Sequence, residues 1–324
     1  MMDPAPETPF VEADWASLAG VHRFSHEAMA TTYEIFIWQD DVSYARQAAQ
    51  AAFEELDRLE AELSRFIENS DISRINNLPA GQPLQIGLAA FDCLKLSVNL
   101  CAETEGAFDI TVGSLLECWL NEDKSARVPS EEELSIARKH TGMHLLRLDE
   151  VSLTVGLLES PVRIDLGGVG KGYALDQMAE LLREWSVNAA LLHGGFSSVL
   201  ALDAPPGTEG WPLTLSRPGA GGQTLARLNL KYRAVSGSGV QKGRHIIDPR
   251  TGRPVEAICA AWAVAGDAAT ADGLSTAFMV MSPDEVEQYC SRHPETLAMV
   301  VPQDQGKGEQ TGGILRIGHW KEQN

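Results

Sequence analysis

The segment "ATADGLSTAFMV" carries a carboxylate and a hydroxyl, Asp272 and Thr276, four residues apart. On a helix that spacing stacks both side chains on one face, near the helix start. Two hard oxygen donors side by side suit Mg2+ or Ca2+, whereas zinc favours His or Cys. An Asp near a helix N-terminus is usually a dipole or capping device, and that reading holds until a third ligand is found.

A second stretch, "RIDLGGVGKGYALDQMAELL" from Arg163, packs Gly167, Gly168, Gly170 and Gly172 around Lys171. An apolar run, a glycine turn and an amphipathic helix can cradle a phosphate, because backbone N–H groups at a helix start favour anions. Two familiar phosphate loops fail here. A dinucleotide fingerprint starting at Gly168 requires glycine where Tyr173 stands, and a P-loop ending in Gly170 and Lys171 requires glycine at Asp165 and a hydroxyl at Gly172. An ordinary tight turn therefore stays an equal reading. In "KGRHIIDPRTGRPV", His245 precedes an apolar pair and a Pro-directed turn, as a base or a structural histidine could. "LSRFIENSDISRIN" and "AFDITVGSLLECW" mix aromatic and apolar residues with Ser, Asp and Thr. That mixture suits a flat ring needing stacking and a few polar contacts, and equally suits loops on a core.

The elements that would position these groups follow from periodicity. "TTYEIFIW" alternates as a strand, and "YARQAAQAAFEELDRLEAELSRF" places Phe53, Leu56, Leu59, Leu63 and Phe66 at helical spacing. "FDCLKLSVNLCAETEG" reads as a helix ended by Gly106. Short β-like runs from Leu145 to Val162, with "SPVRIDL" the last of them, precede the glycine turn, and a helix follows from Lys171 to about Trp185. "NAALLHGG" is a buried strand, hairpin-like segments fill Leu200 to Val235, "GDAATADGLSTAFMVM" turns into an apolar helix, and "LAMVVP" and "GILRIG" close the fold. The layout is mixed α and β, without a 20 to 50 residue repeat. Residues 1–20, rich in Pro, Glu and Asp, are expected to form a loosely held arm, and "GKGEQTGG" an exposed loop.

Bulk properties narrow the partners. With 324 residues and 44% apolar side chains, the chain can bury a substantial core. Its 45 acidic against 26 basic residues give a formal charge of -19, which opposes binding to nucleic acid. An anionic ligand is compatible only where a cation, a lysine or a helix N-terminus reverses the local field. The five cysteines lack metal or redox spacing and read as small core residues of a reducing compartment. "MMDPAPETPFVEADW" has neither basic start nor apolar h-region, and no apolar run is long enough to cross a bilayer. The expectation is a cytoplasmic protein.

In order along the chain, "MATTYEIFI", "LSRFIENSDISRIN", "GAFDITVGSLLECW", "IDLGGVGKGYALD", "LLHGGF", "AVSGSG", "HIIDPRTGRPV" and "ATADGLSTAFMVM" resemble the ApbE-type flavin transferases, the FAD:protein FMN transferases. The resemblance runs from about Met29 to about Met281. It implies one domain over 21–324 made of two α/β lobes, with FAD held between them and Mg2+ beside its pyrophosphate. It implies that FMN is transferred from FAD to a Ser or Thr of a target flavoprotein in a short motif rich in small residues, releasing AMP. Position by position it implies Asp272, Thr276 and the carbonyl of Gly168 as metal ligands. It implies Met29, Phe66, Ala107, Phe108, Asp109, Asp165, Lys171 and Ile246 as dinucleotide contacts. Lys171 would offset phosphate charge, and His245 would serve as base or orienting group. The chain departs from the family pattern at Ser238 and Arg244, where an acidic residue and a histidine are usual, and at Phe196, where Asn is usual. Two alternatives stay open beside transfer: an FAD pyrophosphatase giving FMN and AMP, and a non-catalytic FAD-binding protein.

Overall fold

In the strand Thr31–Trp38, Tyr33, Ile35 and Ile37 are fully buried on one face. Phe36 is buried on the other, so both faces are covered, and pairing with Val21–Ala28 on one side and Ala190–Gly194 on the other places the strand inside the sheet. The computed structural model describes residues 9–13, 15, 18–121, 125–217, 223–240, 246–303 and 313–320. The chain divides into two compact units, Met1–Leu56 with Lys171–Gly243 and Ala257–Asn324, and Asp57–Gly170 with Arg244–Glu256.

The first unit is organised by an eight-stranded antiparallel sheet. Its spatial order is Leu315–Ile317, Leu297–Pro302, Ile258–Ala265, Arg233–Gly239, Ser198–Ala201, Ala190–Gly194, Thr31–Trp38, Val21–Ala28. The helix Ala268–Val280 packs on the strands Arg233–Gly239 and Ile258–Ala265. A second sheet, Val11–Ala13, Trp211–Ser216 and Thr224–Leu230, joins the first around a core of Trp211, Trp262, Phe36, Leu213, Val235 and Met299. Within the segment expected as a loose arm, Val11–Ala13 therefore pairs antiparallel with Trp211–Ser216, and Val11 is fully buried. Phe10, Trp15 and Leu18 pack on the same core, and the water-exposed area they remove offsets the entropy of ordering a short segment.

The second unit holds the helices Asp71–Asn76, Leu88–Glu103, Gly113–Cys118 and Glu131–Lys139. A three-stranded sheet of Pro83–Gln85, Thr154–Leu157 and Leu146–Asp149 completes it with the small hairpin Ile247–Asp248 and Arg253–Pro254. Trp119 Nε1 donates to Gly252 O at 2.8 Å and ties the "DPRTG" turn to the helix before it. Two expectations are corrected here. The helix starting at Val42 stops at Leu63, so Phe66 leaves the apolar face and stands 76% exposed in the following turn. Ser64 Oγ accepts from Phe66 N at 3.3 Å and Ser70 Oγ donates to Ser64 O at 2.6 Å, diverting the backbone from the helix. "SPVRIDL" is not a strand either; it makes only an isolated parallel bridge, Arg163 with Val112. The "GKGEQTGG" loop falls almost wholly outside the described residues. Among the described residues no helix is long and apolar enough to cross a membrane.

Candidate functional site

The cap of the helix Ala268–Val280 is Asp267, whose carboxylate accepts from Thr270 N at 2.7 Å. Capping is thus done elsewhere, and Asp272, 2% exposed, points into a different network. Its Oδ1 accepts from Ser198 Oγ at 3.0 Å and from Ser236 Oγ at 2.8 Å. Its Oδ2 accepts from Gly172 N at 3.2 Å and faces Lys171 Nζ at 3.7 Å. A carboxylate removed from water needs such donors, or burial would force it neutral. Ser198 and Ser236 are direct cross-strand partners whose hydroxyls lie 2.9 Å apart. Two residues further along the same strand, Ser238 Oγ lies 2.8 Å from Ser275 Oγ and 3.2 Å from Thr276 Oγ1. Thr276 Oγ1 also approaches Asp272 O at 3.4 Å.

Lys171 reaches this cluster because its helix, Gly170–Glu184, touches the Asp272 helix backbone to backbone. A Cβ on Gly172 would stand 2.1 Å from Ala268 O, so only glycine permits the approach. One turn on, Asp176 accepts from Ala268 N and Ala269 N, each at 2.8 Å. Burial pushes the Asp176 carboxyl up to about 7 against those two N–H bonds, and Asp267 adds to the rise. Around the Asp272 carboxylate stand two serine hydroxyls, one backbone N–H and the Lys171 ammonium. Among the described residues no group of three or more His, Cys, Asp or Glu side chains that could hold a metal ion is present, so a cation here would rest on the Asp272 carboxylate, hydroxyls and backbone carbonyls, a donor set that suits a hard ion. Burial pushes the Cys93 and Cys101 thiols up to about 12 and Cys290 to about 11, which removes them as nucleophiles.

The second unit gathers another group of expected residues. The Arg65 guanidinium lies 4.7 Å from the Phe66 ring, and its Nη2 meets Asp165 Oδ2 at 3.2 Å. Asp165 Oδ1 accepts from Gly167 N at 2.7 Å and so shapes the glycine turn. Asp165 N donates to Ile110 O at 2.7 Å and Gly113 N to Arg163 O at 3.0 Å, which lays "FDITVG" alongside "RIDL" and brings Asp109 near Asp165 in chain register. Asp109 Oδ1 accepts from Thr111 N at 2.7 Å and Thr111 Oγ1 at 2.6 Å; burial raises its carboxyl while these bonds lower it. Ala107 and Phe108 are interior, so their side chains pack the core. Ile246 is buried, its carbonyl taken by Val255 N at 2.9 Å. Gly168 sits half-buried in the turn. Met29, in the first unit, has φ 49° at the tip of its hairpin, where Tyr33 Oη donates to its Sδ at 3.2 Å. His245 lies outside the described residues. Among the expected residues, then, Lys171 meets the Asp272 carboxylate, Thr276 Oγ1 lies one helical turn on, by Ser238 Oγ and Asp272 O, and Phe66, Asp109 and Asp165 lie in adjoining segments of another group. Ser198 lies outside the motifs that carry the family resemblance, while Ser236 in "AVSGSG" and Asp176 in "IDLGGVGKGYALD" lie within them without a role assigned; the alternation in "AVSGSG" does place Ser236 and Ser238 on one strand face.

Residues 29–301 match the ApbE family. This chain belongs to the ApbE family. Every site residue above falls inside the matched span. The chain is similar to the FAD:protein FMN transferase of Chlamydia trachomatis, with 30% identity over 252 residues covering 72% of this chain and 77% of that protein. It is similar to the same-named protein of Vibrio cholerae, with 26% identity over 309 residues covering 90% and 91%. Among solved structures, the ApbE protein of Thermotoga maritima superposes with a TM-score of 0.80 at 29% identity, covering 91% of this chain and 96% of that one. The apo form of the Pseudomonas stutzeri flavinyl transferase ApbE gives 0.78 at 26% identity, covering 92% and 94%. The mixed α/β ApbE fold is therefore established for this chain.

Proposed function

We propose that this ApbE-family protein transfers FMN from FAD to a Ser or Thr hydroxyl of an acceptor flavoprotein, releasing AMP. The observation that carries the reading is the buried Asp272 carboxylate, fixed on Oδ1 by two serines and turned on Oδ2 toward Lys171, in a chain whose relatives bear that transferase name. Asp272 and Thr276, with the carbonyl of Gly168, would hold Mg2+. That ion would supply positive charge to the diphosphate in a protein of formal charge -19. Lys171 offsets the charge on the diphosphate oxygens, and its contact with Asp272 keeps the ammonium in place between turnovers. Phe66, exposed and backed by Arg65, stacks on a ring of the dinucleotide. Asp109 accepts from ring N–H groups, and Met29, Ala107, Phe108, Asp165 and Ile246 complete the contacts.

The reaction is an in-line displacement at the phosphorus of the FMN half. The acceptor oxygen forms the new bond to phosphorus, and the bridging oxygen leaves with AMP. The acceptor's proton passes to His245. Positioning and charge compensation supply most of the rate, as in phosphoryl transfer generally.

Incubating the full-length protein with FAD and Mg2+, with and without a co-expressed flavoprotein, tests the reading. Covalent FMN on the acceptor, found by intact mass, together with AMP is the expected result. AMP formed equally without acceptor would instead make the protein a pyrophosphatase, and unchanged FAD would leave a binding protein. Lys171→Met is expected to raise the FAD dissociation constant about 10-fold, the loss of one charge-assisted contact. An unchanged constant by fluorescence titration would show that the ammonium does not meet the diphosphate.

A further inference from the structure

The strand Arg233–Gly239 has two faces with different tasks. Ser236 and Ser238 face the helix Ala268–Val280, where their hydroxyls meet Asp272 and Thr276. Gly237 and Gly239 face the opposite way and are covered by Phe10. A Cβ on Gly237 would stand 2.9 Å from Phe10 Cβ and 2.7 Å from Trp262 Nε1, and one on Gly239 would stand 2.8 Å from Phe10 Cε1 and Cζ. Both glycines are therefore the floor of a socket, and Trp262, the cross-strand partner of Gly237, is its wall. The ring of Phe10 meets Trp262 edge-on with centroids 5.9 Å apart.

The segment is also fastened by hydrogen bonds to three different strands or turns. Trp262 Nε1 donates to Phe10 O at 3.1 Å, and buried His193 donates through Nε2 to Val11 O at 3.1 Å. Phe10 N donates to Phe196 O at 2.8 Å, which fixes the turn leading to Ser197 and Ser198. Gly237 N donates to Ser197 O at 2.8 Å and closes the loop of contacts. Thus one N-terminal residue touches both supports of the Asp272 carboxylate: the strand bearing Ser236, and the turn preceding Ser198.

The geometry points to Phe10 as a positioning residue for the Asp272 site, an N-terminal strap whose ring, seated on Gly237 and Gly239, holds Ser236 and Ser198 in register to orient the carboxylate. This rests on the reading of Asp272 as a metal-holding group. Side chains that orient a ligand from behind commonly change metal affinity without touching the metal. The strap reaches the carboxylate only through the serines, so it should alter affinity for the ion more than the rate at saturation.

The test uses the full-length, FAD-free protein and Mg2+ alone. Phe10→Ala is expected to weaken Mg2+ binding about 10-fold by calorimetric titration, well below its melting temperature. In metal-free protein it should speed amide hydrogen exchange at residues 236–239 while leaving the helix Leu88–Glu103 unchanged. Phe10→Leu, which keeps apolar bulk but loses the ring edge over Gly239, should shift both readouts the same way by less, and it carries the comparison should Phe10→Ala not fold. Wild-type Mg2+ affinity in the folded variants overturns the proposal. Asp272→Ala run alongside separates the two ideas. If it abolishes Mg2+ binding while the Phe10 variants bind normally, the strap alone is wrong; if it too binds normally, the metal assignment falls.

Discussion

Asp272→Ala is expected to lower Mg2+-dependent AMP release from FAD by at least about 100-fold, beyond the range typical of residues that only support a ligand. The protein should stay folded. Ser198 and Ser236 keep their mutual contact, and Ser236 Oγ retains Ser197 O at 3.2 Å. What is lost is an acceptor for Ser198 Oγ, the acceptor for Gly172 N and one partner of Lys171, a deficit of about 1–3 kcal/mol in stability. Asp272→Asn sharpens the expectation. Its amide oxygen could still accept from both serines, but its NH2 would face the Gly172 N–H and the Lys171 ammonium, donor against donor. It should be nearly as inactive despite its unchanged shape. Wild-type AMP release across a Mg2+ titration in either variant would remove Asp272 from the site.

Gly172→Ala should be the most damaging change of a single methyl group. In a helix interior alanine is favoured over glycine by about 1 kcal/mol, so propensity alone predicts stabilisation. The added Cβ would stand 2.1 Å from Ala268 O, 2.5 Å from its carbonyl carbon and 2.8 Å from Ala269 Cα, all of them backbone. No rotamer can relieve that. The helices Gly170–Glu184 and Ala268–Val280 must separate, which also stretches the bonds from Ala268 N and Ala269 N to Asp176. Overpacking of this kind costs about 3 kcal/mol, so the steric term wins over propensity. The urea midpoint should fall, and FAD affinity with it, because Lys171 and Asp272 ride on the two helices that part. A midpoint at or above that of the unsubstituted protein would show that the crossing is looser than the contact implies.

Strand and helix locations were legible where periodicity was strong. "TTYEIFIW" is the strand Thr31–Trp38, "LAMVVP" the strand Leu297–Pro302, and "ATADGLSTAFMV" lies in the helix Ala268–Val280. Errors fell at boundaries and at isolated segments. Phe66 continued the helical spacing in sequence, but a serine pair turned the backbone away after Leu63. "VRIDL" had the composition of a strand, yet only Arg163 bridges, because what a strand requires is a neighbour and not only β-branched residues. The N-terminal segment read as an arm from its Pro and acidic content, and the sequence held no sign that its few apolar side chains had a socket waiting.

The amino-acid sequence by itself determined the oxygen pair Asp272 and Thr276 on one helical face, the glycine turn beside Lys171 and the family to which the chain belongs. Local spacing and ordered motifs are properties of the chain, and they survive without knowing what packs on what. Only the tertiary structure decided that Asp267 and not Asp272 caps the helix, that Ser198 and Ser236 hold the carboxylate, and that Phe10 stands behind them. The longest-range of these hydrogen bonds, Trp262 Nε1 to Phe10 O, joins residues 252 apart in the chain. Nothing in local propensity encodes a hydrogen bond across such a distance; sheet register and the close approach permitted by glycine do.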